Sequence, residues 1–216
     1  MHKQIILVDD HVLLRDALAT LINSFPEFNV LSVASNGIDV IKAIEEGNIP
    51  DIVVLDLNMP KMDGFETAAW LKNNHPDIKV VILTMYDSEI ALIRLLQAGV
   101  RGFLKKDIHP MELKNALIAV AENGYYYSHQ ATGKLGTLFK KNNDAGNSIE
   151  RAFLTDIEID FIKNACSEMT YKEIALKMSL TPRTIDNYRD SLFDKLNVKS
   201  RVGLAIYAVK NGVVTF

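Results

Sequence analysis

Charged and hydroxyl side chains recur at the ends of short apolar runs in this 216-residue chain. Asp9 and Asp10 follow the run at residues 5–8, and Asp56 follows the run at residues 52–55. Thr84 follows residues 80–83, and Lys105-Lys106 follow residues 102–104. Three carboxylates gathered in one place repel one another and raise at least one pKa unless a cation compensates. Mg2+ suits that role, because it takes oxygen ligands and keeps waters that a phosphate can displace. A lysine and a hydroxyl beside the acids would complete a cradle for a phosphoryl group carried on a carboxylate. An aspartate after a strand is often only a helix N-cap, and a lone lysine is usually a solvated charge. Four run ends supplying the residue types of one phosphoryl site favour the chemical reading. His11 beside the acidic pair fits poorly as a ligand, since hard Mg2+ disfavours imidazole.

The elements that must position these residues follow from the spacing of the runs. Apolar stretches fall at residues 5–8, 30–33, 52–55, 80–83 and 102–104. The first, third and fourth are continuous Val, Ile and Leu, as in strands buried on both faces of a parallel sheet. Helical stripes lie between them: Leu14, Leu18, Leu21 and Ile22, then Val40, Ile41 and Ile44. Leu92, Leu95 and Leu96 mark another helix, and Leu113, Leu117 and Val120 the next. Alternating strands and helices predict an α/β doubly wound parallel sheet of five strands. Ligands in such sheets sit outside the carboxyl ends of the strands, where Asp9, Asp10, Asp56, Thr84 and Lys106 fall.

Residues 3–122 resemble a two-component receiver domain of the CheY-like, flavodoxin-like kind. The resemblance rests on Ile6-Leu7-Val8-Asp9-Asp10-His11 and on Val54-Leu55-Asp56-Leu57-Asn58-Met59-Pro60-Lys61-Met62-Asp63-Gly64. Leu83-Thr84 and Gly102-Phe103-Leu104-Lys105-Lys106 complete it. It implies that Asp56 is the phosphoacceptor, charged by a sensor histidine kinase. Asp10 would bind Mg2+ directly, Asp9 through water, and Asn58 through its backbone carbonyl, with Asp56 also on the metal. Thr84 and Lys106 would contact phosphoryl oxygens, Lys106 being preferred to Lys105 because it lies three residues after Phe103. Phe103 resembles a rotameric switch residue coupled to Thr84.

From Leu154 onward the pattern is wholly helical. Thr155 or Asp156 can cap a helix carrying Ile157, Phe161 and Ile162. Thr170 precedes a short helix with Ile174, Ala175 and Met178 facing inward, and Ser179-Leu180-Thr181 form a turn. Pro182 then opens a helix to about Leu196, where its missing N–H costs little. A last helix follows Ser200, with Val202, Ala205 and Ile206 apolar. Two helices joined by a tight turn form a helix-turn-helix, whose second helix can enter a DNA major groove.

Residues 152–209 resemble the LuxR-type (NarL/FixJ family) DNA-binding domain of response regulators. Leu154-Thr155-Asp156-Ile157-Glu158, Tyr171-Lys172-Glu173-Ile174-Ala175 and Thr184-Ile185-Asp186-Asn187-Tyr188-Arg189 carry the likeness, with Lys195-Leu196-Asn197-Val198 and Arg201. The pattern departs from the family at Asp186, commonly basic, and at Tyr188, commonly histidine. Residues 182–196 hold three basic and three acidic side chains, so the recognition helix is not strongly cationic. Phosphate anchoring is expected of Arg183, Arg189, Lys195, Lys199 and Arg201. Thr184 belongs to the same DNA-facing set, and by position Asp186, Asn187 and Asp190 face bases, although Asp190, like Asp194, also suits a solvated helix surface. Asn187 can read adenine, and Asp186 can accept from a cytosine amino group.

Charge divides the chain as its patterns do. Residues 1–124, the expected receiver, hold 11 basic and 17 acidic side chains, whereas residues 148–216 hold ten and nine. Residues 125–147, at three basic and one acidic, read as a linker with a helical turn near residues 135–139. No apolar run approaches the roughly 20 residues of a membrane span, and a single cysteine, Cys166, cannot form an intramolecular disulfide. The expectation is therefore a cytoplasmic regulator of double-stranded DNA, without membrane partners, that forms a homodimer on phosphorylation. An aspartyl-phosphate phosphatase or phosphotransferase is the competing enzyme reading. It usually requires an acid/base Asp two residues after the nucleophile, where Asn58 stands. A constitutive DNA-binding protein and a protein-interaction module are the remaining alternatives, the latter suggested only by the acidic recognition helix.

Overall fold

The computed structural model describes residues 2–85, 89–127, 154–211 and 213–214. The chain divides into two compact units, Met1–Leu135 and Gly136–Phe216. In the first, strands β1 (Lys3–Val8), β2 (Phe28–Ala34), β3 (Ile52–Leu55), β4 (Lys79–Thr84), β5 (Gly102–Lys105) and β6 (Tyr126–Tyr127) form one sheet. Its order is β2-β1-β3-β4-β5-β6, and every neighbouring pair is parallel. Helices α1 (Val12–Asn23), α2 (Gly37–Glu45), α3 (Gly64–Asn74), α4 (Glu89–Gln97) and α5 (Pro110–Asn123) make the crossovers.

Alternation along buried strands sends successive side chains to opposite faces. Ile6, Val8, Val53, Leu55, Val80 and Ile82 pack with Val40 and Ile44 of α2, Leu71 of α3, and Leu92 and Leu95 of α4. Ile5, Leu7, Val54, Val81 and Leu83 pack on the other face with Ile22 of α1 and Leu113, Leu117 and Val120 of α5. Each fully buried side chain of this kind contributes roughly 1.5–3 kcal/mol. Two dry faces explain why the central strands carry no polar alternation.

The sheet has six strands, one more than the five expected. Gly124, at φ 87°, caps α5 in the left-handed conformation, and the chain then pairs Tyr126 with Gly102 and Tyr127 with Phe103. Tyr127 donates its hydroxyl to Val100 O at 3.0 Å. The first three residues of the expected linker thus lead into and form an edge strand, too short to show periodicity. The rest of that segment, including the turn expected near residues 135–139, lies outside the described residues. The stripe on α1 is also shorter than expected: Leu14 is exposed, and only Leu18, Leu21 and Ile22 reach the core.

The second unit holds helices α6 (Asp156–Ala165), α7 (Tyr171–Lys177), α8 (Pro182–Leu196) and α9 (Arg201–Lys210). Thr155 and Thr170 form capping boxes with Glu158 and Glu173, while Thr181 and Ser200 cap α8 and α9. Ser179 at φ 56° turns the chain between α7 and α8, and Asn197 at φ 52° ends α8. The inward faces differ from expectation on two helices. Ile157, Val202 and Ile206 are exposed, while Ile159, Leu204 and Ala208 are buried. Packing of α9 on α6 selects the Leu204–Ala208 face, four residues apart, over the Val202–Ile206 face.

Candidate phosphoryl and nucleic-acid sites

The carboxyl ends of β1, β3, β4 and β5 bring the expected acidic pocket together. Asp56 follows β3, donates its backbone N–H to Val8 O at 2.9 Å, and is 5% exposed. Its Oδ1 accepts from Leu57 N at 2.8 Å, and its Oδ2 lies 2.9 Å from Lys106 Nζ. Lys106 Nζ also lies 2.7 Å from Asp9 Oδ2. The lysine backbone is fixed by donation from its N–H to Thr84 O at 2.9 Å, and Thr84 itself is fully buried. Phe103, 5% exposed, belongs to the core beneath the site.

Burial is the larger influence on Asp56. It raises the carboxyl above the ordinary carboxylate range, with help from the Asp9 charge, against the opposing pull of Lys106. For Lys106, burial lowers the pKa, but hydrogen bonds and charge from Asp9 and Asp56 outweigh it and the net direction is upward. The ammonium is therefore a fixed counter-charge between two acids. Asp9, Asp10, His11 and Asp56 each place a potential ligand atom within 4.8 Å of the others.

The residues present fit a small hard cation. Asp10 Oδ1 is buried and, among the described residues, has no hydrogen-bond partner; His11 Nδ1 is 3.0 Å away but outside hydrogen-bonding geometry. The Asn58 carbonyl accepts no backbone hydrogen bond among the described residues. His11 donates its backbone N–H to Asp9 Oδ1 at 2.9 Å, which fixes the turn between the acids and α1. The close approach of α3 adds a further restraint. A Cβ at Gly64 would overlap the Asp56 carbonyl oxygen, so glycine lets α3 start directly against the Asp56 backbone.

The positioning role of Arg15 was not evident in the sequence. Its Nη1 donates to Ser35 Oγ at 2.7 Å and lies 3.4 Å from Asp9 O, tying α1 to the loops after β1 and β2. Asn36 and Asp39 bond reciprocally behind Ser35 and cap α2. The available signal was the spacing from His11 to Arg15, which returns a helical side chain to the turn that precedes it.

The expected DNA-contacting residues divide into two groups. Arg183, Asp186, Asn187 and Lys199 are exposed, with Arg183 and Thr184 in the first turn of α8. Thr184 is half-buried, its Oγ1 2.8 Å from Thr181 Oγ1. Lys195 instead places Nζ 2.8 Å from both Glu158 carboxylate oxygens, with side chains only 14% and 10% exposed. Arg201 donates to the carbonyls of Ala165 and Ser167 at 2.7 Å, satisfying the end of α6. Arg189 is bonded to Asp186 and Asp190 and lies over Tyr171. The contributions of Glu158 and Tyr171 depend on helix packing and carried no signal in local spacing.

A six-stranded parallel sheet with an Asp-Asp, Asp and Lys cradle at its carboxyl edge, followed by a unit whose described residues form four helices including a helix-turn-helix, defines a receiver joined in one chain to a DNA-binding module. Residues 5–118 match the family described as Response regulator receiver domain. Residues 152–208 match the family described as Bacterial regulatory proteins, luxR family. The chain belongs to the NarL/FixJ-type two-component response regulators and is a transcriptional regulator. It is 31% identical to Response regulator GacA of Pseudomonas viridiflava, covering 98% of this chain and 97% of that protein. It is 32% identical to the virulence factors putative positive transcription regulator BvgA of Bordetella pertussis, covering 99% and 100%.

Among solved structures, the response regulator ChrA of a heme-sensing two-component system aligns over 99% of each chain, at 26% identity and TM-score 0.53. RcsB of Salmonella enterica serovar Typhimurium, bound to promoter rprA in the presence of the phosphomimetic BeF3-, aligns at TM-score 0.70 and 21% identity. That alignment covers 96% of this chain and 98% of RcsB and shows likeness of fold. No described helix is long and apolar enough to cross a membrane.

Proposed function

We propose that Asp56 accepts a phosphoryl group from a sensor histidine kinase and that this modification controls dimerisation and DNA binding. The observation that carries the reading is the buried Lys106 ammonium held between Asp56 and Asp9. An Asp56 carboxylate oxygen attacks phosphorus, the phosphorus–nitrogen bond of the donor phosphohistidine breaks, and the departing imidazole keeps the electron pair. Asp9, Asp10, Asp56 and the Asn58 carbonyl would hold Mg2+, which neutralises charge on the transferring group. Lys106 and the Thr84 hydroxyl would contact phosphoryl oxygens. Thr84 and Phe103 would respond to the added charge, about −1.5 to −2, and alter the face around residues 87–106, of which 87 and 88 lie outside the described residues.

In the same reading, the receiver occupies residues 1–127, extended by β6, and the DNA-binding domain occupies residues 148–216. Arg183 and Lys199 anchor phosphates, Asn187 and Asp186 face bases, and Lys195 and Arg201 hold the helices that present them. With ten basic and nine acidic side chains in residues 148–216, a single helical unit has little net attraction for duplex, which favours dimeric binding to paired half-sites. The test is intact-mass measurement after incubation with a small-molecule phosphodonor and Mg2+. One added phosphoryl group is expected, absent after Asp56→Ala substitution and suppressed by chelation. Equal uptake by Asp56→Ala, or none by the wild type, overturns the assignment.

A further inference from the structure

Helix α8 presents two of its three cations already paired. Arg189 Nη1 donates to Asp186 Oδ1 at 2.9 Å, and Arg189 Nε donates to Asp190 Oδ1 at 2.9 Å. The guanidinium carbon lies 5.5 Å from the Tyr171 ring centroid. Tyr171 in turn stacks on buried Phe161, with centroids 6.1 Å apart and planes at 5°. Lys195 is held by Glu158. Of the three basic residues in Pro182–Leu196, Arg183 alone makes no ion pair among the described residues.

The magnitudes separate two possible purposes for the pairing. An exposed carboxylate–guanidinium pair contributes little to stability, and Asp186 and Asp190 have side chains 53% and 65% exposed. The clasp is thus a minor source of stability and opens at small cost. Its effect on the surface potential is larger. Binding to arbitrary duplex rests on releasing counterions from phosphates that cations neutralise. A guanidinium already neutralised by two carboxylates releases few.

We propose that Asp186 and Asp190 are specificity-determining residues. They clasp Arg189 to suppress binding to arbitrary duplex, and they release it where a cytosine amino group takes over the Asp186 carboxylate. The N4–H of that cytosine donates to Asp186 in the major groove. Arg189, freed from one partner and still supported by Tyr171, then reaches a backbone phosphate. The clasp therefore converts the unusual acidic residue of this helix from an obstacle into a discriminator. The inference rests on the DNA-binding reading of the second unit.

The test uses the full chain with a small phosphodonor and Mg2+. It compares a genomic fragment the wild type binds with a scrambled duplex across a salt series. Asp186→Ala with Asp190→Ala is expected to bind the scrambled duplex on the order of tenfold more tightly near 0.1 M salt, with a log–log salt slope steeper by about 0.9. Adding Arg189→Ala removes the extra slope. Replacing the contacted C·G pair by T·A weakens wild-type binding roughly tenfold but leaves Asp186→Ala nearly unaffected. Unchanged far-UV circular dichroism verifies that the variants fold. A double variant with wild-type slope and scrambled-duplex affinity overturns the clasp, as does a steeper slope that survives Arg189→Ala. Wild-type protein that binds no duplex overturns the DNA-binding reading itself.

Discussion

Asp56 works against its own surroundings. Burial raises its carboxyl pKa, so the folded chain holds that proton more tightly than the unfolded chain. By linkage, the contribution of Asp56 to stability falls as pH rises from the ordinary carboxylate value, about 3.9, through the raised one. Asp56→Asn removes this penalty. In metal-free buffer its urea midpoint should therefore gain on the wild type between pH 4 and pH 7. Trp70, the single tryptophan and part of α3, supplies the fluorescence readout. A midpoint difference that is flat or narrows with pH contradicts the assignment of burial as the dominant influence. The candidate residues were legible because strands buried on both faces read as continuous apolar runs, so the residues immediately after them fall at one sheet edge. Arg15 was not legible in its role, because its partner Ser35 comes from a different loop.

At the scale of elements, the ion pair between α6 and α8 decides what Lys195 does. Removing one partner of a buried pair leaves an uncompensated charge. Lys195→Met should therefore destabilise the second unit by roughly 3 kcal/mol, followed by helical circular dichroism. Arg183→Ala should leave stability within about 0.5 kcal/mol, while lowering affinity for all duplexes and reducing the salt slope by about 1. The reverse pattern would return Lys195 to the phosphate-contacting set. On α9, burial pushes the Tyr207 hydroxyl up to about 12, and the oxygen has no hydrogen-bond partner among the described residues. The folded state keeps this proton longer than the unfolded state, so wild-type stability falls as pH rises from about 10 through that value. Tyr207→Phe should abolish this fall and gain up to about 1 kcal/mol at neutral pH. An unchanged alkaline profile contradicts it. Helix spans were readable from signals such as the Thr170 cap and Pro182 in a first turn, but which apolar residues face inward was not. Val202 and Ile206 satisfy a helical stripe as well as Leu204 and Ala208 do, and only the position of α6 chooses between them. Two-residue β6 carries no periodicity at all, which is why the sheet read as five strands.

Across the whole molecule, the net charge of −3 conceals an acidic first part and a near-balanced second. Two carboxylates of the first, Asp9 and Asp56, flank Lys106, whereas Asp186 and Asp190 of the second pair with Arg189. Under the proposals above, both arrangements would release a cation to a better partner: a phosphoryl group for Lys106, an operator for Arg189. The division into two units was visible in the change from alternating α/β to wholly helical patterning. At this scale the proposal is that the state of Asp56 governs the action of the helical unit on DNA. The most direct measurement is the affinity of the full chain for a bound genomic fragment, with and without a small phosphodonor and Mg2+, in wild type and in Asp56→Ala. Phosphodonor is expected to tighten wild-type binding and promote the dimer, with no response from Asp56→Ala. Equal affinities in all four conditions, or a variant that responds as the wild type does, would contradict it.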